Sequence, residues 1–285
     1  MCYNDTYDCF YFGGFRAMIK MIATDMDGTL LNSKKQLTQN SIRAISAVKN
    51  MGIHFVVASG RQYYNIYNVF KQHNLDENVS FLAENGTIVF DKGKLLFANK
   101  LDDDLVKSAV ELVRKTPNIY PVLCGVDFAY IEDTHPKFVS EVTKYFDRRK
   151  FLPNVLECLQ HDKITKIALL DITSNSETYA YPIFKHFEKH AQILISGPEW
   201  VDLINKGVNK GSSVEMIGDL YSYNFDQRMA FGDYLNDVAL LKSCKYSFAV
   251  ENAHENLKKV AYKICPSNDQ EGVAKTLIEW FNLKF

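Results

Sequence analysis

From residue 20 onward, short unbroken apolar runs alternate with segments whose apolar residues recur every three or four positions. The first runs are 20–24, 53–58 and 79–83. The second is rich in β-branched residues and has no polar alternation, as in a strand covered on both faces. Between the runs, Thr38 can cap a helix that places Ile42, Ile45 and Val48 on one face and stops at Gly52. Residues 62–73 carry Ile66, Val69 and Phe70 at helical spacing. Strand–helix alternation of this kind predicts a parallel sheet covered by helices.

The rhythm then changes. Asn85-Gly86 and residues 91–94 read as turns around the short runs 87–90 and 95–98, hairpin strands that lead out of the first domain. Beyond them the pattern predicts a helix over 102–115, strands over 120–124 and 128–131, and a helix over 136–149. Strand 164–171, helix 177–189 and strand 192–196 follow. Residues 101–201 are therefore expected to form an inserted α+β domain. The α/β rhythm resumes with helix 210–220, strand 228–231, helix 235–242, strand 246–250, helix 255–261 and helix 269–281. The expected fold is α/β, a doubly wound and mainly parallel sheet built from 19–100 and 202–285, interrupted by the insert.

Composition fits this picture. A chain of 285 residues, 47% hydrophobic and 24% charged, can bury more than one core. Its 33 basic and 34 acidic residues leave a net charge of −1, which favours neither nucleic acid nor an anionic membrane as partner. No stretch approaches the roughly 18 apolar residues of a membrane span. The six cysteines, Cys2, Cys9, Cys124, Cys158, Cys244 and Cys265, are scattered without metal-ligand spacing, as expected of idle thiols in a reducing cytosol. Residues 1–18 start acidic and contain Gly13-Gly14, unlike a secretory signal, and are read as a dispensable extension with Met18 or Met21 as the working start.

Four polar groups of residues end an apolar strand or open the helix beyond one. Asp25-Met26-Asp27-Gly28-Thr29 follows the first run. Of its two carboxylates, one can attack as a nucleophile and ligate a metal, and the other can act as general acid and base. Ser59-Gly60-Arg61 follows the second run, where a hydroxyl and a backbone N–H can hold a phosphate oxygen. Lys210, in Gly207-Val208-Asn209-Lys210-Gly211, opens a helix, where a cation is unfavourable unless something anionic sits beside it. Gly232-Asp233-Tyr234-Leu235-Asn236-Asp237 follows the strand 228–231. Here Asp233 could complete a magnesium site with Asp25, Asn236 could donate to a phosphate oxygen, and Asp237 could orient Lys210 or Asp233. Each group alone is equally a capped turn or a solvated charge. A doubly wound sheet brings the four together, and phosphoryl transfer needs that set.

In order and spacing, Asp25-x-Asp27-Gly-Thr, Ser59-Gly-Arg61, Lys210 and Gly232-Asp233-x-x-Asn236-Asp237 resemble the four motifs of haloacid dehalogenase-superfamily phosphatases. Glu84-Asn85-Gly86, 207–211 and 248–253 resemble the Cof-like subfamily, whose type IIB cap is inserted between the second and third motifs. The resemblance covers about residues 19–285. It implies an aspartyl-phosphate on Asp25 and proton transfer by Asp27. It implies Mg2+ held by the Asp25 side chain, the Asp27 backbone carbonyl and Asp233, with phosphoryl contacts from Ser59, Gly60, Lys210 and Asn236. It also implies small phosphorylated substrates such as sugar phosphates, flavin mononucleotide or pyridoxal phosphate. The cap aromatics Tyr120, Phe128, Tyr130, Phe138, Tyr145 and Phe146 are expected mostly in the cap core. Two rival readings are a phosphomutase of the same superfamily, which would return the phosphoryl group to another hydroxyl, and a phospho-receiver, in which the aspartyl-phosphate would persist. A receiver needs neither the insert nor Asp27 as an acid.

Overall fold

The computed structural model describes residues 18–285. The expectation of a dispensable extension falls almost wholly on 1–17, outside the described residues.

The core begins with β1 (Met21–Thr24), buried at every position. Thr38 then caps α1 (Gln39–Asn50), its hydroxyl accepting from the Ser41 N–H, and Gly52 at φ +78° turns the chain back. The next elements are β2 (His54–Ala58), α2 (Tyr63–Lys71) and β3 (Val79–Ala83). A hairpin of β4 (Ile88–Asp91) and β5 (Lys94–Ala98) leads out of the core.

The insert comprises α3 (Asp103–Val113), β6 (Ile119–Gly125), β7 (Ala129–Ile131), α4 (Pro136–Tyr145), β8 (Arg149–Phe151), β9 (Ile164–Asp171), α5 (Tyr181–Phe184), β10 (Gln192–Ile195) and β11 (Trp200–Ile204). The core resumes with α6 (Lys210–Leu220), β12 (Arg228–Gly232), α7 (Val238–Lys242), β13 (Tyr246–Val250), α8 (Glu255–Lys258), β14 (Lys263–Cys265) and α9 (Gly272–Phe281).

The core sheet runs β14-β13-β12-β1-β2-β3-β4-β5, parallel from β14 to β3 and antiparallel through the hairpin. From β1 the chain winds outward through β2 and β3, then returns through β12 on the other side. The strand order therefore reverses at β1, and ligands of open α/β sheets bind at the carboxyl ends of the strands at such a point. The insert's sheet runs β10-β11-β9-β6-β7-β8, antiparallel except between β7 and β8. Its central strand β9 is buried throughout: Ile167 and Leu169 pack toward α3, while Ala168 and Leu170 face the side of α4. The chain enters and leaves the insert side by side, where Asn205 Nδ2 donates to Asn99 Oδ1 and, at 2.8 Å, to the Lys100 carbonyl.

Several expected boundaries move. The second sheet continues to Ile204, so a limit at residue 201 would fall inside β11 and split it. The helix expected over 136–149 ends at Tyr145, and 149–151 become β8. The core draws this segment out of the helix: Asn65 and Asn68 each donate to the Asp147 carboxylate at 2.7 Å, and Gln62 donates to the Arg148 carbonyl at 2.7 Å. The helix expected over 177–189 is a π turn, one α turn and a 3₁₀ turn in succession, with Pro182 withholding an N–H in its middle. The helix expected over 235–242 begins with a 3₁₀ turn, and that over 255–261 ends at Lys258. The three short strands β8, β11 and β14 were not expected.

Candidate active site

Asp25 leaves the carboxyl end of β1, its N–H bonded to the Phe231 carbonyl of β12 at 3.0 Å. The next residues close a turn in which the N–H groups of Thr29, Leu30 and Leu31 converge on the Met26 carbonyl. Gly28 sits in it at φ +77°, and a Cβ there would lie 2.4 Å from Asp233 Oδ2. Glycine is thus needed twice, for the left-handed turn and for the approach of Asp233. Thr29 Oγ1 donates to Asp233 Oδ1 at 3.0 Å. Asn252, in the segment 248–253, donates to the Gly28 carbonyl at 2.8 Å.

Lys210 opens α6 behind an Asn209–Ser212 capping box and is 1% exposed. Its ammonium donates to Asp25 at 2.6 Å and to Asp237 at 2.7 Å. Burial pushes this lysine down, but the charges of Asp237 and Asp25 more than reverse that and hold it protonated. The unfavourable place of a cation at a helix N-terminus is thereby explained. Asp237 also accepts from the Asp233 N–H at 3.0 Å, so one carboxylate orients both Lys210 and the segment that carries Asp233.

Asp27 is held differently. Arg61 grips it through two bonds of 2.6 Å each, and Lys35 adds one at 2.7 Å. Burial pushes its carboxyl up, yet the Arg61 bonds and charge, with Lys35, outweigh burial and leave it below the ordinary carboxylate range. Ser59 Oγ accepts from the Arg61 N–H at 3.2 Å. Asn236 donates to Asn85 Oδ1 at 3.2 Å.

A cavity of about 350 Å³ lies between core and insert. Asp25, Asp27, Ser59, Gly60, Lys210, Asp233 and Asn236 all line it, whereas Asp237 stands behind Lys210. Tyr145, Phe146, Trp200 and Tyr234 also line it. Of the cap aromatics named from sequence, Phe138 is fully buried and Tyr130 nearly so, while Tyr145 and Phe146 reach the cavity. Lys35, Lys166, Trp200 and Asp202 were missed in the sequence. Arg61 stood inside its motif, but its partner Asp27 is 34 positions away.

A family model described as haloacid dehalogenase-like hydrolase matches residues 22–277. This chain belongs to the haloacid dehalogenase-like hydrolases. Among them it is an enzyme of the phosphatase branch. A 5-amino-6-(5-phospho-D-ribitylamino)uracil phosphatase of Escherichia coli strain K12 is 32% identical over 263 residues, 90% of this chain and 93% of that protein. A Bacillus subtilis protein of the same name is 25% identical over 92% of this chain and 98% of its own length. A crystal structure from Streptococcus mutans superposes with a TM-score of 0.82 at 27% identity, covering 93% of this chain and all of that one. A HAD/COF-like hydrolase from Plasmodium vivax superposes with a TM-score of 0.83 at 24% identity, covering 94% of this chain and 97% of that one.

Haloacid dehalogenase-like enzymes in general use a divalent metal, and the residues present here fit one. Asp25, Asp233 and Asp237 each offer a carboxylate oxygen within 4.8 Å of the others. Three carboxylates share one ammonium, so negative charge is left unbalanced. Burial, reinforced by the neighbouring carboxylates, raises Asp25 well above its ordinary range, and it raises Asp233 too. A hard cation would relieve that repulsion, and all the donors are oxygens. Both oxygens of Asp237 are taken, Oδ1 by Lys210 and Oδ2 by the Asp233 and Tyr234 N–H groups, which leaves Asp25 and Asp233 as the available side chains.

Proposed function

We propose that this enzyme is a magnesium-dependent phosphatase of small phosphorylated metabolites, acting through an aspartyl-phosphate on Asp25. One observation carries the reading: Lys210 holds Asp25 at 2.6 Å in a cluster with excess carboxylate charge, facing the cavity that Ser59, Gly60 and Asn236 also line. Asp25 attacks phosphorus, and the departing alcohol takes its proton from Asp27. Asp27 then takes a proton from water as that water attacks the acyl phosphate, releasing inorganic phosphate and restoring Asp25. Lys210, Ser59, the Gly60 backbone and Asn236 hold the phosphoryl oxygens. Magnesium, held by the Asp25 side chain, the Asp27 backbone carbonyl and Asp233, would supply the positive charge that this carboxylate cluster lacks. An incoming phosphoryl group competes for Arg61 and Lys35, which frees Asp27 to be protonated.

The two relatives' names support a substrate with a phosphorylated sugar chain and a planar ring. The wall of Tyr145, Trp200 and Tyr234 suits such a ring. Sugar phosphates, flavin mononucleotide and pyridoxal phosphate share the required phosphomonoester. We place the enzyme in the cytoplasm, without a nucleic-acid or membrane partner. Support comes from the free, buried Cys124, Cys158, Cys244 and Cys265 and from a fold in which no described helix is long and apolar enough to cross a membrane. The test is phosphate release from a panel of these esters, with magnesium and with chelator, by wild type and Asp25→Asn. Magnesium-dependent release that vanishes in the variant is expected. Release that survives in Asp25→Asn would reject the nucleophile, and transfer to another hydroxyl without release would point to a mutase.

A further inference from the structure

The loop 59–61 has all three of its carbonyl oxygens held by hydrogen bonds. The Asn85 N–H donates to Ser59 at 2.9 Å and the Glu84 N–H donates to Arg61 at 3.1 Å, both from the backbone that follows β3. The middle carbonyl, Gly60, is held from the other domain: Lys166 Nζ, on β9 of the insert, donates to it at 2.8 Å.

Lys166 is 2% exposed, and its ammonium is fixed on two further sides. Glu84 Oε2 lies 2.6 Å away and Asp202 Oδ2 3.5 Å away. Glu84 is fully buried and in the left-handed region at φ 51°, as is Asn85 at φ 60°, so this turn is itself constrained. Asp202, on β11, accepts from Ser196 Oγ and from Asn85 Nδ2 at 2.7 Å each. Asn85 passes the linkage on to Asn236 through the 3.2 Å bond already described. One lysine of the insert therefore sits where the phosphate loop, the turn after β3 and two strands of the insert meet.

We propose that Lys166 is a positioning residue for phosphoryl transfer. By fixing the Gly60 carbonyl it makes alignment of the phosphate loop depend on the seating of the insert over the core. The proposal rests on the phosphatase reading above. The peptide from Gly60 to Arg61 is planar, so fixing its oxygen fixes the direction of the Arg61 N–H. That N–H donates to Ser59 Oγ and thereby orients the hydroxyl meant for the phosphoryl group. An apolar contact would join the two domains without the cost of desolvating each buried ion. What the charges add is a fixed direction at one carbonyl.

The test uses the full chain with magnesium. Lys166→Met leaves Glu84 buried and unpaired, so Glu84→Gln/Lys166→Met is made beside it to remove both charges. Three quantities are measured in each protein: affinity for inorganic phosphate, amide hydrogen exchange at 59–62, and kcat on a small and a large phosphate ester. In the folded double variant, phosphate binding is expected to weaken, exchange at 59–62 to quicken, and kcat to fall about 10–100-fold by the same factor on both esters. Unchanged phosphate affinity and loop exchange, even with a lower melting temperature, would reduce Lys166 to a structural brace and overturn the proposal. A loss that depends on the ester would also overturn it, since Lys166 would then be touching the leaving group. If wild type hydrolyses nothing but the variant still loses phosphate affinity and loop protection, the phosphatase reading fails and the positioning role stands. A wild type that binds no phosphate overturns both.

Discussion

Two carboxylates one residue apart meet opposite electrostatic surroundings. Asp25 is crowded by other carboxylates, whereas Asp27 lies between Arg61 and Lys35. Their chemistry separates accordingly, and Asp27→Asn should separate it in time. With a poor leaving group, turnover is expected to fall about 10²–10⁴-fold, because the departing alkoxide gets no proton. With an aryl phosphate, whose leaving group needs little protonation, the first step should survive and the second should stall. Intact-mass measurement would then find phosphate accumulating on the enzyme, and its absence would remove Asp27 from the hydrolytic step. The pair itself was legible, because its carboxylates and glycine are contiguous. Lys35 was not, because an exposed lysine next to Lys34 and eight positions from Asp27 looks like any solvated charge.

Local pattern fixed most elements wherever a side chain's environment follows from its neighbours in sequence. Helix α6 has the expected limits because its cap, its glycine and its lysine are adjacent. Boundaries failed where distant partners decide, as where α2 pulls Asp147 and Arg148 out of the helical path. Helix α6 also shows how tightly an element must sit to place one ammonium. At Gly211, beside Lys210, a Cβ would meet the Ala239 carbonyl of α7 at 2.3 Å. Alanine inside a helix ordinarily stabilises by about 0.5–1 kcal/mol relative to glycine. Here overpacking, at about 1–3 kcal/mol, should win. Gly211→Ala is therefore expected to lower both the melting temperature and kcat, whereas a rise in melting temperature would show that α6 and α7 can separate freely.

Across the molecule, the order of strands and helices was enough to give a doubly wound core with an insert. The insert's limit was missed because Asp202 interrupts the apolar run of β11, so its pairing with β9 and β10 reveals its sheet where its pattern does not. Stability should also carry a mark from the far end of the core sheet. His54 opens β2 with Nε2 2.8 Å from Ser80 Oγ, and Ser80 in turn donates to Asp91 at 2.6 Å. Burial, against the pull of Asp91 and with the help of Lys92, lowers this histidine from its ordinary 6.5. The unfolded chain therefore binds the proton first, and stability is lost as pH falls below about 6.5 toward the folded-state value. The melting temperature is expected to drop between about pH 7.5 and about pH 5.5, with a shallower drop in His54→Asn. Equal slopes would mean that His54 is not the group responsible.

The bond between Asn205 and the Asn99–Lys100 segment has a consequence for how the chain finds its fold. To bring β12 beside β1, an unfolded chain must first close a loop that includes the whole insert. Once the insert has folded and its two ends are pinned together, the loop between β1 and β12 shrinks from roughly 200 residues to about 100. Halving that loop saves about 0.6 kcal/mol of chain entropy. An insert that folds on its own thus acts on the core as a splice, shortening the chain without removing a residue.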